Sequence, residues 1–501
     1  MNLVSPENSV ENPAVITAAS ERQNASWDVR NASKNYFSLV VTQAGSAVFA
    51  FASMWLINKM LGTERYGGVM ALIAASQLAQ VLVNWTGFAV VRYGVNEFIE
   101  TEKIARTFWL RLFILLPNLL LVLLTSNFWY PPLADWLNLP SEMFWVVLLH
   151  FSTAALWIHF QFSFQAVKML RLQGGLLTIE RLLIFISLSV LAAGGGLNEF
   201  SAVVSYAVVP LVISLGSFWI LRDFVFARFR ADWIFWRTIL AFSLPLIPFT
   251  ITTYLSGSYA DAIFIVEFLS TRDLGIYMVA TQISGVALQL PTLINSLLLP
   301  LFVTLQKEAQ TQKMTQYFKY MLPAFTLCWG LFSTLVSFTG YFILPLVFGK
   351  EYAEATQPFW ILFTTSTLIF PLLAGYGSLS NANSVTYIPM ISAILAGFVN
   401  VYFNFLLIPK LGLVGCAWAT AIMYFVNSFT LALLLRRNIK IPVSWTFIAP
   451  IPAVAGAFIL SLTVNPYWSL LLCTTLTVFI LYVKKESFEK TFMYLRNSRN
   501  A

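Results

Sequence analysis

Long runs of apolar residues, separated by short polar connections, occupy most of this chain. A helix needs about 20 predominantly apolar residues to cross the hydrocarbon core of a bilayer, and runs of that length recur here. The pattern therefore predicts an all-α integral membrane protein. We assign about 14 membrane-spanning helices, numbered in chain order, at residues 37–60, 67–92, 107–128, 143–165, 174–194, 199–221, 240–268, 275–302, 318–347, 355–378, 386–408, 412–435, 444–464 and 467–483.

One short motif occurs twice, first between spans 1 and 2 and again between spans 7 and 8. Leu61–Ala71 reads LGTERYGGVMA and Leu269–Val279 reads LSTRDLGIYMV, and at an offset of 208 the residues coincide at six of 20 positions. Because six spans separate the copies, both have the same orientation in the membrane. Parallel repeats of this kind form two similar helical bundles around a cavity. The sequence therefore predicts two pseudo-symmetric six-helix lobes around a central cavity, plus two extra C-terminal helices.

The polar segments between these spans define the expected organisation of the chain. It comprises a polar cytoplasmic tail (1–35), an N-terminal lobe (36–221), a basic cytoplasmic loop (222–239), a C-terminal lobe (240–438), two additional spans (439–483) and a basic cytoplasmic tail (484–501).

The basic residues predict the orientation. If both termini are cytoplasmic, the 30 Lys and Arg lie at cytoplasmic ends, loops or tails with six exceptions, which are Lys59, Arg65, Arg181, Arg272, Lys350 and Lys410. This asymmetry follows the positive-inside rule. It also accounts for the net charge of +8, which in a soluble protein would suggest nucleic acid. We expect contact with membrane lipids and no nucleic-acid partner.

Composition agrees with a membrane protein. The chain is 58% hydrophobic and 10% charged, with a mean hydropathy of +0.75. A soluble protein typically has about 25% charged residues. Composition therefore excludes an ordinary soluble enzyme.

Several segments resemble one family of membrane proteins. LLIPKLGLVGCAWATAIMY (Leu406–Tyr424) resembles the LIPK-x-G-x-x-G-A-A-x-A-T signature of bacterial polysaccharide-export flippases, the O-antigen and polysaccharide biosynthesis transporters. PLVFGKEYAEA (Pro345–Ala355) resembles the family's FG-x-x-Y-x-x-A turn, and DLGIYMVATQIS (Asp273–Ser284) its G-x-Y-x-x-A opening of span 8. LGTERYGG resembles the family's first turn. The likeness runs from about residue 36 to 440, and Cys416 departs from the alanine usual in the family.

The resemblance implies a function and a location. These flippases are related to multidrug and toxin extrusion carriers and to lipid II flippases. The resemblance implies translocation of an undecaprenyl-diphosphate-linked oligosaccharide, such as an O-antigen unit for lipopolysaccharide, across the bacterial inner membrane. It implies no cofactor, but H⁺ or Na⁺ coupling is compatible with the family. A polymerase and a chain-length regulator are the expected protein partners.

Such a substrate requires cations for its diphosphate and amide or hydroxyl groups for its sugars, all facing a cavity. An arginine near the middle of a span costs about 2.5–3.5 kcal/mol even on the mildest scale, so each is a candidate for function. The candidates for substrate contact are Arg92, Arg111, Arg181, Glu180, Gln77, Asn84, Gln282, Gln289 and Asn400. The alternatives are snorkelling of Arg92, interfacial anchoring by Arg111, an ion pair for Glu180 or Arg181, and interhelical contacts for the amides.

Two further features bear on transport. Asp261 in span 7 and Glu180 in span 5 are candidates for ion coupling, because removal of a carboxylate from water favours proton binding. An ion pair is the alternative for Asp261. Pro245, Pro248 and Pro291 predict helix bends that suit a hinge, although static kinks are common in membrane bundles. No spacing of ligand residues predicts a metal site.

Two other functions remain open from the sequence. A multidrug or cation antiporter would share the architecture but needs acidic groups within the membrane for cationic drugs. A membrane glycosyltransferase or polymerase would need catalytic groups on outer loops. The predicted outer loops are short, so a transporter is favoured over an enzyme.

Overall fold

The computed structural model describes residues 13–227, 233–255, 257–307, 310–383, 385, 387–439, 442–443 and 445–499. Residues 1–12 of the predicted N-terminal tail, 228–232 of the basic loop and 500–501 lie outside the described residues. The described part is helical and contains no strand. Its first half consists of α1 (Pro13–Asn84), α2 (Gly87–Thr101), α3 (Ala105–Leu124), α4 (Ser126–Trp136), α5 (Phe144–Ala166), α6 (Leu170–Ala193) and α7 (Glu199–Val225).

The second half of the chain has more breaks. It consists of α8 (Trp233–Ser243), α9 (Ile247–Leu255), α10 (Ser258–Phe268), α11 (Thr271–Lys307), α12 (Thr311–Gln316), α13 (Leu322–Phe348), α14 (Thr356–Pro371), α15 (Gly377–Ala382), α16 (Tyr387–Asn438), α17 (Ile451–Thr463), α18 (Pro466–Val483) and α19 (Lys485–Arg499). Short 3₁₀ or π turns connect several of these, at Ser141–Met143, Leu244–Leu246, Tyr317–Met321, Lys350–Ala355 and Leu372–Tyr376.

The helices have the length and composition of membrane spans. Eleven helices in the described part are long and apolar enough to cross a bilayer. Two of them, Val41–Asn84 and Tyr387–Arg437, have 44 and 51 residues, and each covers two predicted spans. Every predicted span overlaps a helix. The prediction of an all-α integral membrane protein is confirmed.

Glycines divide the two longest helices. Gly62 in α1 has φ 81° and Gly412 in α16 has φ 61°, in the left-handed region that favours glycine. Gly415 approaches the Leu407 carbonyl so closely that an added Cβ would overlap it. The chain on the two sides of the kink at Gly412 is therefore in close contact. Both kinks fall within motifs of the sequence, LGTERYGG and LIPKLGLVG.

Prolines coincide with the first of the two breaks in the predicted seventh span. A 3₁₀ turn containing Pro245 separates α8 from α9, and Pro248 lies in the first turn of α9. Proline fits such positions because its missing N–H has no helical partner there. Pro291 differs, since α11 continues through it. A hinge at these prolines stays a prediction.

The two copies of the repeated motif meet in space. Gly67 packs on the backbone of Thr271, and Gly275 packs on the backbone of Thr63, so closely that a Cβ on either glycine would overlap the facing carbonyl. Each pair is related to the other by the 208-residue offset. The contact therefore has the self-complementary form of a two-fold interface. It joins α1 to α11, which pack on each other along much of their length.

The last two apolar helices lie on the flank of the second half. α17 packs against α14, α18 packs against α13, and the two pack on each other. They agree in this with the prediction of two spans added to a repeated core.

Candidate functional site

A cavity of about 500 Å³ lies between the two halves of the chain. Its walls come from α1, α5, α6 and α7 of the first half and from α10 and α11 of the second. Polar side chains occupy much of the lining, namely Ser46, Ser53, Gln77, His150, Gln161, Glu180, Arg181, Tyr206, Tyr259, Thr281, Gln282 and Gln289. Polar groups at the centre of a helical membrane bundle are costly and mark candidate substrate pathways.

Arg181 is the only Lys or Arg among the lining residues of this cavity in the described part of the chain. It makes no ion pair with any described carboxylate, although Glu180 precedes it in sequence. Glu180, Tyr206 and Tyr259 also line the cavity and interact electrostatically with the guanidinium. The guanidinium therefore has donors available for an anion that enters.

Glu180 is committed to a different contact. Its Oε2 accepts a hydrogen bond of 2.8 Å from Trp157 Nε1, and its side chain is 5% exposed. Adjacent residues of a helix point about 100° apart, which explains why Glu180 and Arg181 do not pair. The carboxylate fixes the orientation of Trp157 on the cavity wall.

Amide side chains from both halves supply neutral donors and acceptors. Gln77 and Gln161 belong to the first half, and Gln282 and Gln289 to the second. Gln282 Nε2 donates to Tyr66 Oη at 2.9 Å, which links α11 to α1 across the wall. Such amides suit hydroxyl-rich ligands because each presents both a donor and an acceptor.

Arg111 lies outside the cavity, in a buried cluster of the first half. It is 0% exposed, and its Nη1 donates to His159 Nδ1 at 2.8 Å and its Nη2 to Asn84 Oδ1 at 3.3 Å. Asn84 Nδ2 donates in turn to Gln80 Oε1 at 2.6 Å. Among the described residues this cluster contains no acidic partner for Arg111.

Arg92 also lies outside the cavity and is exposed. Its guanidinium lies 4.7 Å from the ring centre of Phe242 and 5.7 Å from that of Tyr93. Tyr93 makes edge contacts with Phe235 and Phe242. These contacts form an aromatic seam between α2 of the first half and α8 of the second.

A buried oxygen-rich cluster in the second half contains Asp261. The carboxylate is 3% exposed and accepts hydrogen bonds from Asn404 Nδ2 (2.8 Å), Tyr277 Oη (3.1 Å) and Thr420 Oγ1 (3.2 Å). Asn404 Nδ2 also donates to Asn400 Oδ1 at 3.1 Å, and Asn404 Oδ1 has no hydrogen-bond partner within the described chain. No described basic side chain pairs with Asp261.

The structure thus places the sequence candidates in four separate locations. Gln77, Glu180, Arg181, Gln282 and Gln289 share the cavity wall. Arg111 and Asn84 lie in the buried cluster of the first half. Asn400 belongs to the cluster around Asp261. Arg92 lies in the aromatic seam between α2 and α8. Contact with a substrate stays a prediction for every one of them.

Several lining residues were not among the sequence candidates. Trp157, Gln161, Tyr206 and Tyr259 line the cavity, and His150, which bonds Ser76, does so as well. Gln161 could have been found, because an amide in the middle of an apolar span is itself a signal. The aromatic residues could not, since most aromatic residues of such a chain face lipid or helix contacts.

The described residues contain no group of three or more His, Cys, Asp or Glu side chains that could hold a metal ion. The Asp261 cluster offers one carboxylate with amide and hydroxyl oxygens. Oxygen ligands of this kind suit a hard cation or a proton rather than a transition metal.

Comparison with solved structures indicates the fold. The chain is similar to a structure titled lipid II flippase MurJ, inward closed conformation, with 14% identity, a TM-score of 0.64, and 89% of this chain and 99% of that chain covered. It is also similar to the MATE multidrug transporter DinF-BH, at 13% identity, a TM-score of 0.58 and coverage of 81% and 95%. The Vibrio cholerae MATE transporter VcmN in the bent form matches at 12% identity, a TM-score of 0.54 and coverage of 86% and 98%.

Comparison of sequences gives the family. A search of curated proteins finds no match. The family described as polysaccharide biosynthesis protein matches residues 32–306, which is more than half of the 501 residues. This range contains the helices that form the whole wall of the cavity. The chain belongs to the polysaccharide biosynthesis protein family.

Proposed function

We propose that this chain translocates a lipid-linked oligosaccharide across the bacterial inner membrane by alternating access. The observation that carries the proposal is Arg181, a cation without an ion pair among the described residues, in an amide-rich cavity between two helical halves. The substrate that fits this chemistry is an undecaprenyl-diphosphate-linked glycan such as an O-antigen unit. Family membership and a flippase-like fold support the same assignment.

Recognition divides between charge and hydrogen bonding. Arg181 attracts the diphosphate, because a guanidinium binds phosphate oxygens through paired, charge-assisted hydrogen bonds. Gln77, Gln282 and Gln289 contact the sugar hydroxyls. Binding from both halves ties the occupancy of the cavity to the relative position of the halves.

Closure at one end of the cavity involves contacts between the halves. Thr63 Oγ1 donates to Glu351 Oε2 at 3.2 Å, and Tyr352 Oη donates to Asn58 Oδ1. These bonds connect the turn after span 1 with the turn after span 9, both on the predicted outer side. Breaking them, with bending near Pro245 and Pro248, opens the cavity outward.

Ion coupling belongs to the Asp261 cluster rather than to Glu180. The Asp261 carboxylate has neutral donors only, so a proton or Na⁺ would neutralise a buried charge. Glu180 is instead engaged by Trp157. An ion at Asp261 bridges α10, α11 and α16, which all belong to the second half. It thereby stabilises one arrangement of that half.

The multidrug antiporter alternative has one supporting observation, the likeness to multidrug transporters. The charge of the cavity opposes it. Arg181 repels cationic drugs, and the one acidic residue among the cavity lining, Glu180, is engaged by an indole. Flux of a cationic dye that matched glycolipid flux would favour the antiporter.

The test is a flux assay with purified protein in liposomes that contain a labelled undecaprenyl-diphosphate oligosaccharide. The rate at which the glycan becomes accessible to an external glycosidase gives the translocation rate. Arg181→Ala is expected to lower this rate by about tenfold or more, since a hydrogen bond to a charged group contributes about 1.5–3 kcal/mol. Arg181→Lys retains the positive charge, so its translocation rate should lie between the rates of wild type and of Arg181→Ala.

Arg437→Ala is the matched control, because Arg437 is exposed in the last turn of α16. It should leave the rate unchanged. In cells that lack the protein, the lipid-linked oligosaccharide should accumulate on the inner leaflet. Wild-type flux in Arg181→Ala, or accumulation on the outer leaflet, would refute the proposal.

A further inference from the structure

His150 lines the central cavity and has no role in the proposed mechanism. It is 6% exposed and belongs to the face of α5 that borders the cavity, together with Ala154, Trp157, Ile158 and Gln161. Histidine is the one side chain whose charge ordinarily changes near neutral pH. A histidine on the wall of a binding cavity is therefore a candidate proton site.

The hydrogen bonds of Ser76 determine which ring nitrogen of His150 carries the hydrogen atom. Ser76 Oγ donates to the Ile73 carbonyl at 2.9 Å and also bonds His150 Nδ1. A hydroxyl has one hydrogen atom to donate, so Oγ accepts from Nδ1–H. The neutral ring then has its lone pair on Nε2, which has no hydrogen-bond partner among the described residues and remains accessible. Nε2 is therefore the position at which His150 can take up a proton.

The chain has one other histidine, His159, on the same helix. Its Nδ1 accepts from Arg111 Nη1 at 2.8 Å, because a guanidinium can only donate. Its Nε2 is buried without a partner in the described chain, and His159 is not part of the cavity lining. Protonation of His159 at Nδ1 would break the bond to Arg111. His150 can thus gain a positive charge within its present contacts, whereas His159 cannot.

Arg181 of α6 is the charged group that interacts electrostatically with His150. The other ionisable side chains on the cavity wall are Glu180 of α6, Tyr206 of α7 and Tyr259 of α10. In the described part of the chain, α1 and α11 contribute no ionisable side chain to this wall. The charged residues of α2, α3 and the turn Ser141–Met143, which also pack against α5, lie outside the lining. Two cations side by side repel each other, and an anion placed between them attracts both.

His150 and Arg181 lie at different depths on the wall. The rise of about 1.5 Å per residue places His150 about 10 Å from Trp157 along α5. Trp157 bonds Glu180, the residue before Arg181. A diphosphate has two phosphoryl groups joined through one oxygen, so each group can approach a different cation. The pair therefore suits a diphosphate better than a single carboxylate.

We propose that His150 is a second ligand of the diphosphate and that it binds as an imidazolium, so that substrate binding takes up one proton. This inference rests on the proposed function. A diphosphate esterified at both ends carries two negative charges, whereas Arg181 supplies one positive charge and Glu180 adds a further negative one. An uncompensated charge in a low-dielectric site is costly. The proton comes from water in the cavity, occupies Nε2, and returns to water when the diphosphate leaves.

Linkage determines the sign of the pH effect. If the diphosphate favours the imidazolium form, protonation must favour binding of the diphosphate by the same factor. The affinity of the cavity for a diphosphate therefore rises as the pH falls. Because a hydrogen bond between an imidazolium and a phosphate is charge-assisted, we expect the Kd to fall about tenfold between about pH 8 and pH 6.

The experiment titrates the purified full-length protein in detergent with geranyl-diphospho-N-acetylglucosamine, whose short chain keeps it soluble. Both phosphates of this probe are esterified, so neither has the weakly acidic second ionisation of a phosphate monoester. Any proton taken up therefore enters the protein. Calorimetry in two buffers with different enthalpies of ionisation gives the number of protons taken up for each probe molecule bound. Wild type should take up about one proton near neutral pH.

His150→Gln keeps a polar side chain but cannot become a cation. It should take up no proton, and its Kd should be the same at both pH values, close to that of wild type at the higher pH. His159→Gln is the matched control, because it removes the other histidine of α5 and leaves the cavity wall intact. It should retain the proton uptake and the pH dependence of wild type.

The possible results separate this inference from the proposed function. Binding of the probe by wild type without proton uptake would overturn the inference and leave the proposed function standing, and this result needs no variant. Proton uptake that persists in His150→Gln would assign the proton to another group and equally overturn the inference. Absence of binding by wild type would refute recognition of a diphosphate in the cavity, and both proposals with it.

Discussion

The first half of the protein buries a cation, Arg111, and the second half buries an anion, Asp261. In the first half, Arg111 donates to His159 and Asn84, with no acidic partner among the described residues. In the second half, Asp261 accepts from neutral side chains, with no basic partner in the described chain. At the 208-residue offset, the counterpart of Asp261 in the first half is Ser53.

The repeat preserves backbone packing but not the buried charge. The glycine contacts at Gly67 and Gly275 are equivalent in the two copies, whereas the buried ionisable groups are not. An uncompensated charge in a low-dielectric interior is costly, so each is retained against a penalty. In the proposed mechanism the two halves therefore divide the work, since Arg181 in the first half binds the anionic substrate and Asp261 in the second binds the coupling cation.

The largest expected effect concerns the stability of the first half. Arg111→Ala should lower the free energy of unfolding by about 3 kcal/mol, because it leaves a cavity and removes the donors to His159 and Asn84. Denaturant titration in micelles measures this. Arg181→Ala, which empties a position on the cavity wall, should change stability by less than about 0.5 kcal/mol. Equal destabilisation by both variants would contradict the distinction between a structural and a binding arginine.

The next effect concerns coupling in the second half. Asp261→Asn should reduce gradient-driven transport by about 30-fold, because the lost charge contributes about 2 kcal/mol to cation binding. Glycolipid binding, measured by titration in detergent, should remain within about twofold of wild type. Arg181→Ala should give the opposite result, with binding lost and the ion dependence of residual transport kept. A loss of glycolipid binding in Asp261→Asn would contradict the separation of ion coupling at Asp261 from substrate binding at Arg181.

A smaller effect tests the symmetry of the glycine contact. Gly67→Ala and Gly275→Ala should each weaken closure of the outer end by about 1.5 kcal/mol, since either Cβ overlaps a facing carbonyl. The accessibility of Gln289→Cys to an external thiol reagent, in a background without native cysteines, should rise about tenfold in both. Gly68→Ala is the control, because its Cβ would meet only the flexible Glu199 side chain at 3.3 Å. Different effects of the two glycine variants would show that the contacts at Gly67 and Gly275 are not equivalent.

The smallest effect identifies the coupling ion. Thr420→Val removes one hydroxyl near Asp261, worth about 1 kcal/mol. If the ion is Na⁺, the half-saturating Na⁺ concentration should rise about fivefold, because an oxygen ligand is lost. If the ion is H⁺, the site should bind a proton more tightly, because a hydrogen bond to the charged form is lost. Thr364→Val, whose hydroxyl bonds its own helix at Trp360, should shift neither. No shift in Thr420→Val would exclude Thr420 from the site.

The helical membrane fold was predictable because lipid imposes one rule on every span. A backbone in hydrocarbon must satisfy its own hydrogen bonds, so apolar runs become helices. The repeat was predictable because turns need particular residues, and Thr63 and Gly67 recur as Thr271 and Gly275. The break between α8 and α9 also followed from the prolines of the seventh span, whereas the continuity of α11 through Pro291 did not.

The candidate site was predictable only in part. Gln77 and Asn84 lie seven residues apart on one helical face, yet Gln77 lines the cavity and Asn84 binds Arg111. Periodicity gives the direction of a side chain but not which neighbour lies there at each depth. Arg92 and Arg111 equally illustrate this, since their partners come from helices remote in sequence.

Cys416 gives the Asp261 cluster a native chemical label. Its thiol is within hydrogen-bonding contact of Asp261 and is 0% exposed. An alkylating reagent can reach it only while the surrounding helices α10, α11 and α16 separate. With the exposed Cys328 replaced by serine, the rate of alkylation at Cys416 measures how often the helices around the Asp261 cluster separate.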